Sequence, residues 1–315
     1  MDFLIGGVAA MCAGVFSNPF DVIKTRQQLQ GELQQKVGDG TTRLAYRNIF
    51  HSVKNIIKAE GLTGLQKGLV PALSFQFVMN STRLGIYQTV DSMYLTSFNR
   101  DVENRSGILC IFWGGVAGVV GAYLGCPFYL IKTQIQAQSQ ASGRYAVGYQ
   151  HHHRNTIDGL KNIFKQHGIR GLWRGYSGLV PRTAVASSVQ LSTFSTCKEF
   201  LNKYEVFSNS VFLNACASSM VSGFFTVIFM TPFDVVATRL FNQGVDKNGR
   251  GLLYKNLFDC FWKTFQYEGV KGLYKGLIPN YWRTAPHTIL NLTFWEQFKK
   301  WKDVYLSDES KIYFE

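Results

Sequence analysis

Charge is what this chain of 315 residues has least of: Asp, Glu, Lys and Arg make up 17%, against about 25% in an average soluble protein. Acid is the scarcer sign, 20 Asp+Glu against 33 Lys+Arg, for a net charge of +13. Proline is sparse too, at seven residues, while aromatics reach 15%, which excludes a disordered chain. The six cysteines, Cys12, Cys110, Cys126, Cys197, Cys216 and Cys260, form no CxxC pair and sit mostly in apolar runs. That pattern argues against a zinc ribbon or disulfide framework and for small buried hydrophobes. Mean hydropathy, −0.03, is that of a soluble protein.

The average hides where the charges are missing. None occurs in Phe3–Phe20, Ser106–Ile131 or Val206–Phe233, runs of 18, 26 and 28 residues. A helix needs about 20 apolar residues to cross a bilayer core. Three further segments carry a single arginine: Leu69–Val90 with Arg83, Gly175–Cys197 with Arg182, and Gly276–Trp295 with Arg283. Six membrane spans are expected. The first run has no basic flank and no small-residue cleavage site, so it does not read as a signal peptide.

Each uncharged run ends in a related phrase: Pro19-Phe20-Asp21-Val22-Ile23-Lys24-Thr25-Arg26, Pro127-Phe128-Tyr129-Leu130-Ile131-Lys132-Thr133-Gln134 and Pro232-Phe233-Asp234-Val235-Val236-Ala237-Thr238-Arg239. A second phrase follows in phase: Glu60-Gly61…Gln66-Lys67-Gly68, His167-Gly168…Trp173-Arg174-Gly175 and Glu268-Gly269…Tyr274-Lys275-Gly276. Between them Tyr46-Arg47-Asn48, His153-Arg154-Asn155 and Tyr254-Lys255-Asn256 align, each before a short amphipathic helix pattern. The chain is a threefold repeat, residues 1–100, 101–205 and 206–302, with a tail at 303–315. The expected fold is an all-α membrane protein with pseudo-threefold symmetry: six transmembrane helices plus short surface helices.

The Pro-x-Asp-x-x-Lys-x-Arg phrase at intervals of about 100 residues, with aromatic-basic-Gly behind it, resembles the mitochondrial carrier family (solute carrier family 25). The resemblance covers essentially residues 1–300. It implies a six-helix bundle around a central cavity in the mitochondrial inner membrane, opening alternately to the cytosol and the matrix. The short helices would face the matrix and both termini the intermembrane space. Lys24-Thr25-Arg26-Gln27-Gln28-Leu29-Gln30-Gly31 and Pro232 to Gln243 resemble the branch of the family that holds the oxaloacetate carrier and members 34 and 35. That branch implies oxaloacetate, malonate-like dicarboxylates or sulfate as substrates, and the expectation is a monomer.

In family terms the acids and bases of the first phrase close a matrix gate, pairing Asp21 with Lys132 and Asp234 with Lys24. The third pair is absent, because Tyr129 replaces the acid and Ala237 the base, so no buried charge is stranded. Gln28 and Gln136, four residues after each lysine, are placed to brace the pairs, whereas Phe241 cannot. The opposite, cytosolic gate reads aromatic-acid-x-x-base. Trp295-Glu296 with Lys299 fits it, and Gln88 and Lys198 stand at partial matches.

Arg182 and Arg283 each stand seven residues after a glycine of the second phrase, about 10 Å along their helices; the first repeat has Phe75 there and Arg83 two turns later. An arginine within a span is costly and faces an interior or a wet cavity. No acid lies in these three segments, so the missing negative charge is expected to come from the ligand. Guanidinium groups grip carboxylate or sulfate bidentately, so a small di-anion is the expected cargo. The resemblance assigns the Arg182-Thr183 pair to carboxylate or keto-acid carriers. Phe75, Gln76, Asn80, Gln190 and Asn291 are the neighbours expected to shape selectivity.

Trp173, Arg174 and Gly175, with Tyr274, Lys275 and Gly276, suit a cardiolipin headgroup at a helix N-terminus. His151, His152 and His153 are read as a solvated loop rather than a metal site. His287 is a packed, neutral histidine or, less simply, a carrier of a coupling proton. No nucleophile–base pair, phosphate loop or metal-ligand cluster is visible, so neither an enzyme nor a cofactor is expected. A nucleic-acid-binding role is excluded by the uncharged spans. A non-transporting carrier-like adaptor, or a carrier of phosphate- or nucleotide-type anions, remains as an alternative.

Overall fold

The computed structural model describes residues 2–32, 45–98, 107–139, 146–246 and 249–312. The first repeat contributes α1 (Asp2–Leu29), α2 (Ile49–Glu60) and α3 (Leu69–Phe98). The second contributes α4 (Gly107–Ala137), α5 (Thr156–Leu172) and α6 (Tyr176–Leu201), followed by the one-turn α7 (Glu205–Ser208). The third contributes α8 (Val211–Asn242), α9 (Leu257–Leu273) and α10 (Leu277–Ile312). Among the described residues, β structure is limited to one isolated bridge, Val245 to Gly251. Helix α10 continues through most of the expected tail, to Ile312.

The six long helices form a closed ring: α1 on α3, α3 on α4, α4 on α6, α6 on α8, α8 on α10, and α10 on α1. Helices α1, α4 and α8 also touch one another, which closes the ring at one end. These three are long and apolar enough to cross a membrane by composition alone, over Leu4–Leu29, Phe112–Ala137 and Phe212–Asn242. The partition is the reverse of a water-soluble core. Phe16, Phe112, Phe224, Phe225 and Phe229 point outward, while Asn214, Ser218, Ser222 and Thr226 are buried. An apolar belt of this kind is a liability in water and the proper surface in lipid. All seven prolines lie within the six long helices, a placement that lipid-embedded bundles tolerate.

Between spans, the aligned asparagines start the surface helices. Asn155 Oδ1 accepts the Asp158 N–H and Asn256 Oδ1 the Asp259 N–H, both at 2.8 Å; Asn48 makes no side-chain cap. Glycine recurs where only glycine is comfortable. Gly68, Gly175 and Gly276 have φ of 68°, 84° and 77°, and they lead α3, α6 and α10 against the ends of α4, α8 and α1 respectively. A Cβ on Gly276 would stand 3.1 Å from Gln28 Cγ and 3.3 Å from the Lys24 carbonyl. On Gly175 it would stand 2.9 Å from the Phe241 ring. Gly276→Ala therefore combines a positive φ with a tight backbone contact and is expected to cost about 1–3 kcal/mol. The check is the unfolding temperature in detergent, which should fall by several degrees.

Candidate functional site

The converging ends of α1, α4 and α8 hold a layer of buried charge. Asp234 accepts Lys24 Nζ at 2.8 Å, Gln28 Nε2 at 2.7 Å and Arg182 Nε at 2.5 Å. Asp21 receives Lys132 Nζ on Oδ2, with Gln136 Nε2 at 3.5 Å. Its Oδ1 is only within ion-pair range of Arg283 Nε, 3.7 Å, and Lys24, 3.9 Å, and lacks a hydrogen bond. Asp234 is thus saturated and Asp21 half-satisfied. Both bracing glutamines are aimed by a threonine of the repeated phrase: Thr238 Oγ1 donates to Gln28 Oε1 at 2.8 Å, and Thr25 Oγ1 to Gln136 Oε1 at 3.0 Å.

The arginines enter this layer through the glycine register. Gly175 packs on Phe241 and Gly178 on Ala237; seven residues up α6 from Gly175 meets seven residues back along α8, which pairs Arg182 with Asp234. Gly276 on Gln28 puts Arg283 beside Asp21 in the same way. Gly68 on Gln136 puts Phe75 on Tyr129, ring centroids 5.1 Å apart. The first repeat lacks an arginine at this position because its cross-helix partner lacks the acid. An aromatic group fills the place of the missing bridge: Tyr129 packs between Phe75 and Phe241, and Lys132 and Arg182 lie 5.2 and 5.4 Å from its ring centre.

This corrects the expectation that the negative charge for Arg182 and Arg283 comes from the ligand; Asp234 on α8 and Asp21 on α1 reach them. The layer is still not neutral. Lys24, Lys132, Arg182 and Arg283 face Asp21 and Asp234, leaving two positive charges uncompensated.

Below this layer lies a second, tighter ring that sequence reading missed. Arg26 Nε donates to the Gln136 carbonyl at 3.1 Å, Gln134 Nε2 to the Phe241 carbonyl at 3.2 Å, and Arg239 Nε to the Gln28 carbonyl at 3.3 Å. Together they tether α1 to α4, α4 to α8 and α8 to α1. Arg26 also pairs with Glu60 at 2.9 Å and Arg239 with Glu268 at 2.7 Å; hydrogen bonds from these arginines hold the Glu60 and Glu268 carboxyls below their usual range against the effect of burial. The second repeat replaces both partners, Gln134 for the arginine and His167 for the acid. The signal was present: the last residue of one phrase covaries with the first of the other.

Glu32, just past α1, stands beside this ring, and burial pushes its carboxyl up to about 7, against the pull of Arg239. The folded protein therefore keeps a proton that the unfolded chain loses near pH 4.5, so stability falls as pH rises from about 4.5 to 7. Glu32→Gln should match wild type near pH 5 and melt about 2–4 °C higher at pH 8, read by thermal unfolding at both values.

Toward the other end the ring encloses a cavity of about 300 Å³ lined by Gly6, Asn80, Arg83, Leu191, Asn291 and Trp295, among others. Arg83 has no ion pair among the described residues, and Asn291 Oδ1 is buried without a hydrogen bond. Not every expected neighbour lies here. Phe75 is 5% exposed under Gly125, and Thr183 donates to the Leu179 carbonyl at 2.8 Å; Gln190 lies on α6 outside the lining. At this end Lys198, Glu296 and Lys299 form no salt bridge among the described residues, and Lys299 instead lies 4.7 Å from the Trp295 ring centre. The Gln88 side chain falls outside the described residues.

The aromatic-basic-Gly residues are engaged within the protein. Lys275 Nζ donates to Glu268 and to the Gln30 carbonyl at 2.6 and 2.7 Å, Arg174 to the Gln243 carbonyl at 3.3 Å, and Trp173 Nε1 to the Tyr123 carbonyl at 2.9 Å. Tyr274 is partly exposed. The histidine loop is not simply solvated. His151 Nε2 bonds the Asn242 carbonyl and His153 Nε2 bonds Gln134 Oε1, both at 2.9 Å, and burial lowers the His151 pKa to about 4. No group of metal-ligating side chains occurs among the described residues.

A family model described as mitochondrial carrier protein matches residues 1–98, 104–205 and 208–304. Solute carrier family 25 member 35 of Mus musculus is 47% identical over 97% of this chain and 99% of its own length. The mitochondrial oxaloacetate transport protein of Saccharomyces cerevisiae is 38% identical over 95% of this chain and 88% of its own. Mitochondrial citrate transporter E of Aspergillus niger is 38% identical over 98% and 97%. With a threefold repeat, a closed six-helix ring and these matches across its length, the chain belongs to the mitochondrial carrier family and is a multi-pass membrane transporter, not an enzyme.

Proposed function

We propose that this carrier moves a small di-anion, an oxo- or dicarboxylate such as oxaloacetate or malonate, or sulfate, across the mitochondrial inner membrane by alternating access. The observation that carries this reading is the buried layer of four cations and two carboxylates, which a di-anion brings to neutrality. A ligand carboxylate takes Arg182 from Asp234 and Arg283 from Asp21. Each exchange weakens the pairs that hold α1, α4 and α8 together. The ligand thus interacts differently with the closed and open layers, as any ligand that shifts a conformational equilibrium must. Matrix gate is the role of Asp21, Lys24, Gln28, Lys132, Gln136 and Asp234, and substrate binding that of Arg182 and Arg283. Arg83 and Asn80 receive the anion in the cavity.

The names of two relatives, an oxaloacetate and a citrate transporter, support a carboxylate cargo. A tricarboxylate is a second reading, favoured by Arg83, a cation of the cavity lining with no carboxylate partner among the described residues, in addition to Arg182 and Arg283 of the charged layer. Uptake of labelled malonate, oxaloacetate, sulfate, citrate and ADP into proteoliposomes decides. The proposal expects the di-anions to exchange at least ~10-fold faster than ADP, and comparable rates for ADP would overturn it. Citrate transport abolished by Arg83→Ala, with malonate retained, would favour the tricarboxylate.

A further inference from the structure

His287 sits between the charged layer and the cavity, on α10 one turn beyond Arg283, enclosed by α1 and α3. Its Nδ1 is 3.2 Å from Ser17 Oγ and its Nε2 is 3.3 Å from Gln76 Nε2. The Gln76 amide is oriented by Asn80, whose Nδ2 donates to Gln76 Oε1 at 3.3 Å and to the Gln76 carbonyl at 2.9 Å. Gln76 therefore offers N–H to the ring, so Nε2 is an acceptor and the ring proton lies on Nδ1, toward Ser17. Ser17 Oγ donates in turn to the Gly14 carbonyl at 3.4 Å. The chain of hydrogen bonds starts on the cavity wall at Asn80 and passes through Ser17, one turn before Asp21.

A neutral histidine satisfies this chain, and the ring also has the Ala13 backbone within hydrogen-bonding reach. A proton on Nε2 would face the Gln76 N–H, and the local remedy is rotation of the Gln76 amide, which turns Oε1 to the ring and takes an acceptor away from Asn80. A protonation event beside the charged layer is thereby written into the cavity wall. The charged groups facing His287 are Arg283 on its own helix, Asp21 on α1 and Lys132 on α4. Helix α3 presents neutral Gln76, and α8 packs Gly223 against Ala285. With two positive charges already uncompensated, the empty site repels another cation; a di-anion held by Arg182 and Arg283 removes the repulsion.

We propose that His287 is the proton-binding residue of this carrier, taking one proton on Nε2 with each di-anion and releasing it with the anion on the far side. No other bond forms or breaks: one proton and one di-anion enter, and the same two leave. The inference rests on the di-anion reading.

The test uses sulfate, which remains a di-anion between pH 6 and 8, so that substrate protonation plays no part. Full-length wild type, His287→Gln and His287→Asn are reconstituted, and the ratio of sulfate uptake with pH 6 outside and 8 inside to uptake at pH 8 on both sides is measured. This ratio is independent of the amount of active protein. The expected result is a ratio of ~5 or more in wild type and ~1 in both variants, with alkalinisation of the medium accompanying wild-type uptake alone. An equal ratio in wild type and variants overturns the proposal, as does a wild-type ratio of ~1. Variants inert toward every di-anion that the wild type carries would assign His287 a structural role and overturn it as well. Wild type that exchanges no di-anion at all refutes the reading of the cargo itself, and the proton proposal falls with it.

Discussion

Arg182→Ala is expected to lower di-anion uptake into proteoliposomes ~100-fold or more while leaving a folded protein. Asp234 loses its 2.5 Å contact with Arg182 but keeps Lys24 at 2.8 Å and Gln28 at 2.7 Å, so the acid is not stranded. The layer falls from two uncompensated charges to one, which removes half of the attraction for a di-anion. Losing one charge-assisted, buried contact costs about 2–4 kcal/mol, equivalent to ~30- to 1000-fold in rate or affinity. Arg182→Lys keeps the charge but loses the planar fork, and should fall in between. Thermal stability without substrate should change little in both variants, whereas stabilisation by added malonate should disappear in Arg182→Ala. Uptake by Arg182→Ala within about threefold of wild type would remove Arg182 from the substrate site.

The residues of the charged layer were legible because their signal is triplicated: Asp21, Lys24, Lys132 and Asp234 stand at fixed places in a phrase that recurs at the ends of α1, α4 and α8. Which acid meets which base was implied by the family resemblance and not by the repeat. The six helices were legible from missing charge, and Asn155 and Asn256 from their place before an amphipathic pattern. What was not legible is which layers meet across helices. Arg182 and Asp234 lie in different repeats, and their contact follows from the glycine contacts of Gly175 and Gly178 on α8, which fix an antiparallel register that sequence spacing does not reveal. The same register turns the apparent oddity of Phe75 into the partner of Tyr129. Arg26 and Glu60 were missed for a simpler reason. Both stood in recognised phrases, but periodicity identifies equivalent residues between repeats and says nothing about contacts within one. His151 and His153 were read as solvated because their loop is polar, while their contacts come from α8 and α4.

The two members of each gate pair should not be equivalent, because the layer is electropositive. Asp21→Asn raises the uncompensated charge from two to three, leaving Lys132 and Arg283 facing each other across a neutral amide. Lys132→Gln lowers it to one, and Asp21 retains Arg283 at 3.7 Å and Lys24 at 3.9 Å. Uncompensated buried charge is the costly outcome, about 3–5 kcal/mol when one partner of a buried pair is removed. Asp21→Asn is therefore expected to lower the unfolding temperature in detergent markedly more than Lys132→Gln. The double variant has the same net charge as wild type and should recover much of what Asp21→Asn alone loses. Asp234→Asn, which leaves three donors sharing one neutral amide oxygen in place of a carboxylate, should be the most damaging single change of this set. The same ordering extends to ligand: malonate should protect Asp21→Asn from heat more than it protects wild type, since an added di-anion replaces the missing carboxylate. Lys132→Gln as destabilising as Asp21→Asn, or a double variant no better than Asp21→Asn, would show that the layer carries no net positive charge and would take with it the charge argument for a di-anion cargo.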